Sequence, residues 1–486
     1  MLFNSLDFLL FFPIVCLLFF GLPQKFRWLM LLVASCYFYM YFIPIYILIL
    51  AGTIVIDYFA GILIEQNHGK RRRFYLIVSL FANIMVLAVF KYYNFFIENI
   101  ETLLTALGST TRLPYLSILL PVGLSFHTFQ AMSYTIEVYR GKQKAEKHFG
   151  IYALYVMFFP QLVAGPIERP QNVLHQFHEH KVFTYANLIK GLKLVIWGFF
   201  MKVVVADRLA IYVNAAYNNV DNHNGTTLLL ATTFFSFQIY CDFAGYSSIA
   251  IGTARIMGFD LMTNFNRPYF ARTISEFWKR WHISLSTWFR DYLYIPLGGS
   301  QGGMNMKIRN TFIIFIVSGF WHGANWTFIV WGFLNALYFL PLLLANKNRN
   351  NLEVVAMGKL LPSARDFFAI LTTFSLTVFA WIFFRADNIT HAFSYIKGIF
   401  TSSLLSVPTI LPFSLFGLLA FFMTVEWVGR GEAYALEALG SRWKRSLRWG
   451  FYYVIIFLNG KNGLLKIYIA KYCSDNSIFL NTSPVL

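Results

Sequence analysis

Apolar runs recur through this chain at about 7–22, 28–64, 74–97, 117–139, 187–206, 227–256, 323–345, 366–384 and 404–427. Each can cross roughly 30 Å of hydrocarbon as a helix, and 28–64 is long enough for two passes. Membrane barrel strands need only about 9–11 residues, and an open sheet would leave its edge amides unpaired in lipid, so the runs predict helices. About ten to twelve spans are expected. Hydrophobic side chains make up 57% of the 486 residues and charged ones 13%, with a mean hydropathy of +0.56. That is more apolar surface than one water-soluble core could hide, so the expected class is an all-α integral membrane protein.

The net charge of +18 would suggest a nucleic-acid partner in a soluble chain. Its distribution argues instead for topology. Lys25 and Arg27, the block Lys70, Arg71, Arg72 and Arg73, and the run from Arg140 to Lys147 all fall in short loops. With 28–64 as a hairpin of two helices, the three clusters share one side, the positive-inside pattern. The amino terminus is then expected outside the cytoplasm. The expected partner of the basic excess is membrane lipid, with no nucleic acid involved. The first helix lacks a basic leader and a small-residue cleavage site, so it reads as a retained span. Cys16, Cys36, Cys241 and Cys473 are scattered, with neither disulfide nor zinc spacing. No repeat divides the chain, which is treated as one domain, 1–486, in three stretches of 1–145, 150–345 and 366–486.

From about residue 150 the apolar runs carry polar interruptions. Residues 158–170 read FFPQLVAGPIERP. Three prolines, a glycine, Gln161, Glu168 and Arg169 do not make an ordinary span, and irregular backbone near membrane depth requires protein or a water-filled cavity around it. The segment is either re-entrant or buried, or a simple interfacial loop. Asp242, in QIYCDFAGYS, sits inside an apolar run where an ionisable group is expensive. It either lines a site or pairs with a tyrosine or arginine to hold helices together.

Residues 276–300, EFWKRWHISLSTWFRDYLYIPLGGS, interleave Lys279, Arg280 and Arg290 with Trp278, Trp281, Trp288 and Tyr292. Such a stretch suits a helix at the interface, rings at headgroup level and basic groups reaching water. The glycines at 298, 299, 302 and 303 lack a G-K-[ST] ending and supply a turn, not a P-loop. Of the ten histidines, most lie in polar contexts, and His127 in GLSFHTFQ reads as a satisfied core residue. His282 and His322 differ: each follows a tryptophan and sits beside polar groups, Ser284 and Asn325 respectively. Imidazole titrates near neutrality, and a neutral imidazole is the base that deprotonating an alcohol requires. Two histidines without a carboxylate or cysteine cluster do not make a zinc set, so no metal is expected. No G-x-S-x-G nucleophile elbow occurs.

Several stretches together resemble the membrane-bound O-acyltransferases, within them the bacterial alginate O-acetylation group. They are MLFNSLDFLLFFPIV at the amino terminus, KYYNFF at 91–96, LPVGLSFHTFQAMSYTIEVYRG at 120–141 and MFFPQLVAGPIERP at 157–170. The likeness continues through YCDFAGYSSIAIG at 240–252, NFNRPYFARTISEFWKRWHISLSTWFRDYLYIPLGGS at 264–300, SGFWHGANWTFIVWG at 318–332 and FAWIFFRAD at 379–387. The resemblance covers most of the chain. It implies a ring of helices around a thinned core with a central funnel or tunnel, and re-entrant segments. It makes 150–345 the catalytic core between amino- and carboxyl-terminal helices.

The family's essential histidine matches His322 and its second histidine His282. The implied reaction moves an acetyl group, from acetyl-CoA and with no bound cofactor, across the bacterial inner membrane. The implied acceptor is an exported alginate-like polysaccharide, served by periplasmic SGNH-type acetyltransferase partners. In that picture His322 is the base, while His282 or Asn325 orients the thioester or donates to the oxyanion. Lys279, Arg280 and Arg290 are candidates for the coenzyme A phosphates, and Asp242 is a further candidate contact. D-alanyl transfer to teichoic acid, performed by a related group, and a non-enzymatic transporter stay open as alternatives. The chain departs from the family pattern from 454 onward, VIIFLNGKNGLLKIYIAKYCSDNSIFLNTSPVL.

Overall fold

Ser5 opens the first helix: its hydroxyl accepts the Phe8 N–H at 3.2 Å, capping α1 (Leu6–Gly21). The long run 28–64 breaks at YFIPIY because Pro44 has no N–H with which to continue a helix. It therefore yields two helices, α2 (Gln24–Met40) and α3 (Ile47–Gln66). The computed structural model describes residues 1–117, 121, 123–163, 165–348, 353–401, 406–440 and 443–459. Among them every regular element is helical.

After α3 the chain continues through α4 (Gly69–Leu87), a π turn at Ala88–Tyr92 and α5 (Tyr93–Ala106) as one 38-residue rod. Next come α6 (Leu124–Tyr139), α7 (Phe149–Met157) and the short α8 (Phe159–Leu162) and α9 (Pro170–Val173). A second π turn, Phe200–Ala206, joins α10 (Tyr185–Phe199) to α11 (Asp207–Tyr217), and α12 (Gly225–Ile256) follows. The short α13 (Ile274–Arg280) and α14 (Ile283–Phe289) precede a hairpin of α15 (Met304–His322) and α16 (Trp326–Leu344). The remaining helices are α17 (Ala364–Arg385), α18 (Ile389–Thr401), α19 (Phe413–Val428) and α20 (Arg445–Asn459).

By length and composition, five helices among the described residues can cross a membrane: Pro44–Gln66, Gly69–Ala106, Gly225–Ile256, Trp326–Leu344 and Ala364–Arg385. Leu6–Gly21 and Phe413–Val428 are apolar but shorter. The most apolar window of α12 is 72% buried inside the protein against 17% for Gly69–Ala106, so α12 is a central post and the α4–α5 rod faces outward. Small residues let the backbones meet at that post. A Cβ on Gly198 would lie 2.6 Å from the Gly245 carbonyl oxygen, and one on Gly191 2.6 Å from that of Gly252. The two pairs run in opposite directions along α10 and α12, seven residues apart on each, the small-residue packing that membrane helices use in place of a hydrophobic drive.

Two rims close the bundle. On one, the Arg27 guanidinium donates to the Lys181 carbonyl (2.6 Å), Tyr58 to that of Lys147 (2.6 Å) and Arg72 to that of Tyr139 (2.7 Å). Glu65 accepts the Ala145 N–H at 3.0 Å, and Arg140 reaches the Asp291 carbonyl at 2.9 Å. The three basic clusters therefore share this rim. On the opposite rim Glu101 accepts the Leu113 N–H at 2.6 Å, Arg385 donates to Asn214 at 2.9 Å and Asn325 donates to the Asp387 carbonyl at 2.7 Å. The amino terminus lies away from the basic rim, its ammonium on the Phe38 carbonyl at 2.8 Å near the end of α2.

The described residues of the interrupted stretch 158–170 are almost all enclosed by protein. Glu168, fully enclosed, accepts the Met262 N–H at 2.5 Å, and Gln161 donates to the Tyr155 carbonyl at 2.7 Å. Gly123 starts α6 against it with φ +74°, its backbone so near the Leu162 carbonyl that no Cβ would fit. The divergent tail beyond residue 459, with Cys473, lies outside the described residues. Cys16, Cys36 and Cys241 are free thiols.

Candidate active site

His322 ends α15, and the next three residues turn the chain back. Asn325 caps α16 by accepting the Thr327 N–H at 3.0 Å while its amide holds the Asp387 carbonyl. The two helices can close this tightly because Gly319 lies against the Phe328 carbonyl and Gly332 against that of Phe315, where a Cβ would collide. The turn leaves the half-buried His322 ring edge-on to Trp321, Trp331 and Phe384, at centroid distances of 4.9, 5.2 and 5.2 Å. At about 1.5 Å per residue, α15 carries the ring roughly 27 Å from its start at Met304.

His282 arrives by another route. Residues 257–300 leave α12 at the basic rim, run inward and return to it, and His282 sits buried between α13 and α14 at 1% exposure. Its backbone is left-handed, φ 43°, a strained conformation for a non-glycine residue. The excursion is pinned where the Asn264 carbonyl accepts the Ile283 N–H at 2.8 Å.

The Asn264 side chain then fixes the imidazole. Its Oδ1 accepts from the Ser284 backbone N–H (3.3 Å) and hydroxyl (2.9 Å), which identifies that atom as oxygen. The same Oδ1 lies 3.1 Å from His282 Nδ1, so Nδ1 carries the proton and Nε2 the lone pair. Nε2 is buried and meets no hydrogen-bond partner among the described residues. Around the ring stand Phe243 (4.6 Å), Phe126 and Phe265 (both 6.1 Å) and Trp321 (6.3 Å). Trp321 thus touches both histidines, and one aromatic cluster holds the pair that lies forty residues apart in the chain.

The other candidates are placed differently. Asp242 pairs with Lys202 at 2.6 Å, and Lys202 also meets Asp207 at 2.9 Å and the Tyr246 ring at 5.4 Å. The partner is a lysine, where a tyrosine or arginine was expected, and the pair ties α12 to the π turn at Phe200–Ala206. Arg280 is buried on Glu276 at 2.8 Å. Lys279 and Arg290 are exposed, the latter on Asp291 at 2.7 Å, and neither joins the histidine cluster. Asn325 gives one amide N–H to the Asp387 carbonyl and keeps a second, while His282 gives its ring N–H to Asn264. His127 is buried as expected, and neither ring nitrogen finds a hydrogen-bond partner among the described residues. Sequence reasoning missed Asn264, whose only signal was its place in the matching stretch NFNRPYF, and it missed Lys91 and Tyr92 of KYYNFF.

Residues 148–380 match the membrane-bound O-acyltransferase family. The chain is 37% identical over 406 residues to the probable alginate O-acetylase AlgI of Pseudomonas aeruginosa, covering 82% of this chain and 75% of the relative. The protein of the same name from Azotobacter vinelandii is 35% identical over 453 residues, 91% of this chain and 87% of that one. The peptidoglycan O-acetyltransferase of Helicobacter pylori is 35% identical over 397 residues, 76% of this chain and 73% of the relative.

Proposed function

We propose, from the premise that this chain belongs to the membrane-bound O-acyltransferase family, that this membrane acyltransferase passes acetyl groups across the bacterial inner membrane to an exported, alginate-like polysaccharide. The donor is acetyl-CoA, approaching from the basic rim, which faces the cytoplasm. Periplasmic SGNH-type acetyltransferases take the group onward. The helices form a ring of ten to twelve spans around a thinned core, with 158–170 and 257–300 as its re-entrant segments and a funnel joining the faces.

The observation that carries this reading is that two histidines forty residues apart in the chain, one on a buried excursion and one at the far end of α15, meet across Trp321. His282 comes in on an excursion from the basic rim, while His322 sits at the far end of α15. His322 removes the proton from the acceptor hydroxyl as that oxygen attacks the thioester carbonyl carbon, whose π electrons move onto oxygen. When the tetrahedral intermediate collapses, the carbon–sulfur bond breaks and the thiolate takes the proton from the imidazolium. His282 orients the donor: its bare Nε2 accepts an amide N–H of the pantetheine arm. Lys279 and Arg290 meet the phosphates outside. Arg280, Asn325 and Asp242 support the site through Glu276, the hairpin turn and Lys202.

The test is the acetate content of polysaccharide exported by cells whose own copy is replaced by wild type or by His322→Ala, at matched membrane abundance. Acetate should vanish with His322→Ala. Acetylation at the wild-type level would remove His322 and this mechanism.

A further inference from the structure

The carboxyl end of a helix leaves its last carbonyls without intrahelical partners, and the last residue of α15 is His322 itself. Two neighbours on the α4–α5 rod take those carbonyls. The Lys91 ammonium donates to the Trp321 carbonyl oxygen at 2.5 Å and to the Ser125 hydroxyl at 3.3 Å. The Tyr92 hydroxyl donates to the Phe320 carbonyl at 3.2 Å, and its ring stacks on Phe320 at 4.4 Å and 19°. The rod continues the grip on the far side of the turn, where Asn99 accepts the Trp326 indole N–H at 2.9 Å. Tyr92, Phe95, Phe96 and Asn99 are the i, i+3, i+4 and i+7 positions of one helical face. Lys91 is one residue off that face. The π turn at Ala88–Tyr92 widens the helix where Lys91 and Tyr92 both reach α15.

Lys91 has no carboxylate partner among the described residues. An ammonium in a membrane-crossing helix is costly and marks function by default. Here it meets the negative end of the α15 dipole and the peptide bonded directly to His322. A lysine that served packing alone would be replaceable by an apolar side chain of its length.

We propose that Lys91 and Tyr92 are positioning residues for His322: together they hold the Phe320 and Trp321 carbonyls and so fix the peptide from which the imidazole hangs. The inference rests on His322 being the base, and its test separates the two ideas. In the full-length protein, Lys91→Met should lower the maximal transfer rate roughly ten- to hundredfold, with the half-saturating acetyl-CoA concentration within about twofold of wild type. Lys91→Arg keeps a donor and should retain most of the rate. Tyr92→Phe, which loses one neutral hydrogen bond, should lose only about two- to tenfold.

A second readout does not depend on turnover. Carbethoxylation of His322 by diethyl pyrocarbonate, followed by mass spectrometry, should change in rate in Lys91→Met while that of exposed His178 does not. A wild-type rate with unchanged His322 modification would overturn the clamp, as would a raised half-saturation at full rate, which would make Lys91 a donor-binding group. If Lys91→Met fails to accumulate, Lys91→Arg and Tyr92→Phe decide: equal, complete loss in both would show a folding role and overturn the proposal. Activity surviving His322→Ala would fell the base assignment alone, since the modification readout still judges the clamp.

Discussion

His282 Nδ1 lies 3.1 Å from Asn264 Oδ1, and the Ser284 backbone N–H on the same oxygen leaves no choice about which atom is the acceptor. Asn264 therefore sets the tautomer of His282 and leaves Nε2 as a lone pair inside the aromatic cluster. Asn264→Ala releases that choice and strands a buried N–H. Losing such a bond costs about 1–3 kcal/mol, or roughly five- to 150-fold in rate. Acetyl transfer by Asn264→Ala should fall by that much at matched abundance and resemble His282→Ala. Both should stay above His322→Ala, because orienting a donor is less absolute than removing a proton. An Asn264→Ala protein with wild-type turnover would detach the tautomer from the mechanism.

The pairing of His282 with His322 was legible because both sit in unusual local sequence, WHIS and WHGA, inside apolar surroundings. Their partners were not. Asn264 precedes His282 by a stretch with no periodic relation to it, and Lys91 lies nearly half the chain before His322, so only tertiary folding brings either into reach. The break of 28–64 into a hairpin was readable from its length, enough for two passes, and Pro44 sets where it falls. The burial of Arg280 was not, because an i, i+4 partner such as Glu276 looks the same on an exposed helix as on an enclosed one. Asp242 was readable as expensive, but the partner expected was a tyrosine or arginine, and the lysine that meets it is carried there by the π turn.

Lys202 stands between two carboxylates, Asp242 at 2.6 Å and Asp207 at 2.9 Å. Removing the cation leaves two like charges facing each other, whereas removing Asp242 leaves Lys202 with Asp207. Lys202 and Asp242 are half-buried and Asp207 is exposed, so breaking the pair from one side costs less than the roughly 3–5 kcal/mol of a fully buried one. Lys202→Met should therefore reduce membrane abundance and the thermal midpoint in detergent more than Asp242→Asn does. Adding Asp242→Asn to Lys202→Met should recover part of the loss. A double variant less stable than Lys202→Met would show that Asp242 does more than answer the lysine.

The glycine contacts between α10 and α12 give a prediction with its own control. A Cβ on Gly198 would sit 2.6 Å from a backbone oxygen of the opposing helix, which cannot rotate away, while one on Gly52 meets nothing within 4 Å. Overpacking of this kind costs about 1–3 kcal/mol. Gly198→Val should lower the thermal midpoint and, through α12, displace Phe243 from His282 and reduce transfer. Gly52→Ala should leave both unchanged. Equal behaviour of the two variants would mean that the α10–α12 contact does not limit stability.

The sidedness of the reaction can be read from single cysteines, once Cys16, Cys36, Cys241 and Cys473 are replaced. Arg72 on Tyr139 and Arg140 on Asp291 tie the basic loops to the 290–303 region, from which α15 starts. Positions 70 and 307 therefore share a rim. The rod Gly69–Ala106 has 38 residues, which at about 1.5 Å each exceeds the roughly 30 Å of hydrocarbon. Position 110 thus emerges on the other side from position 70. With the basic rim in the cytoplasm, an impermeant maleimide added to intact spheroplasts should label Thr110→Cys and spare Lys70→Cys and Lys307→Cys until the membrane is permeabilised. Labelling of 70 and 307 with protection of 110 would put the acetyl-CoA approach on the wrong face, and transfer from a cytoplasmic donor would have to be abandoned. Labelling of 307 with protection of 70 would instead break the shared rim, and with it the route by which His282 reaches the site.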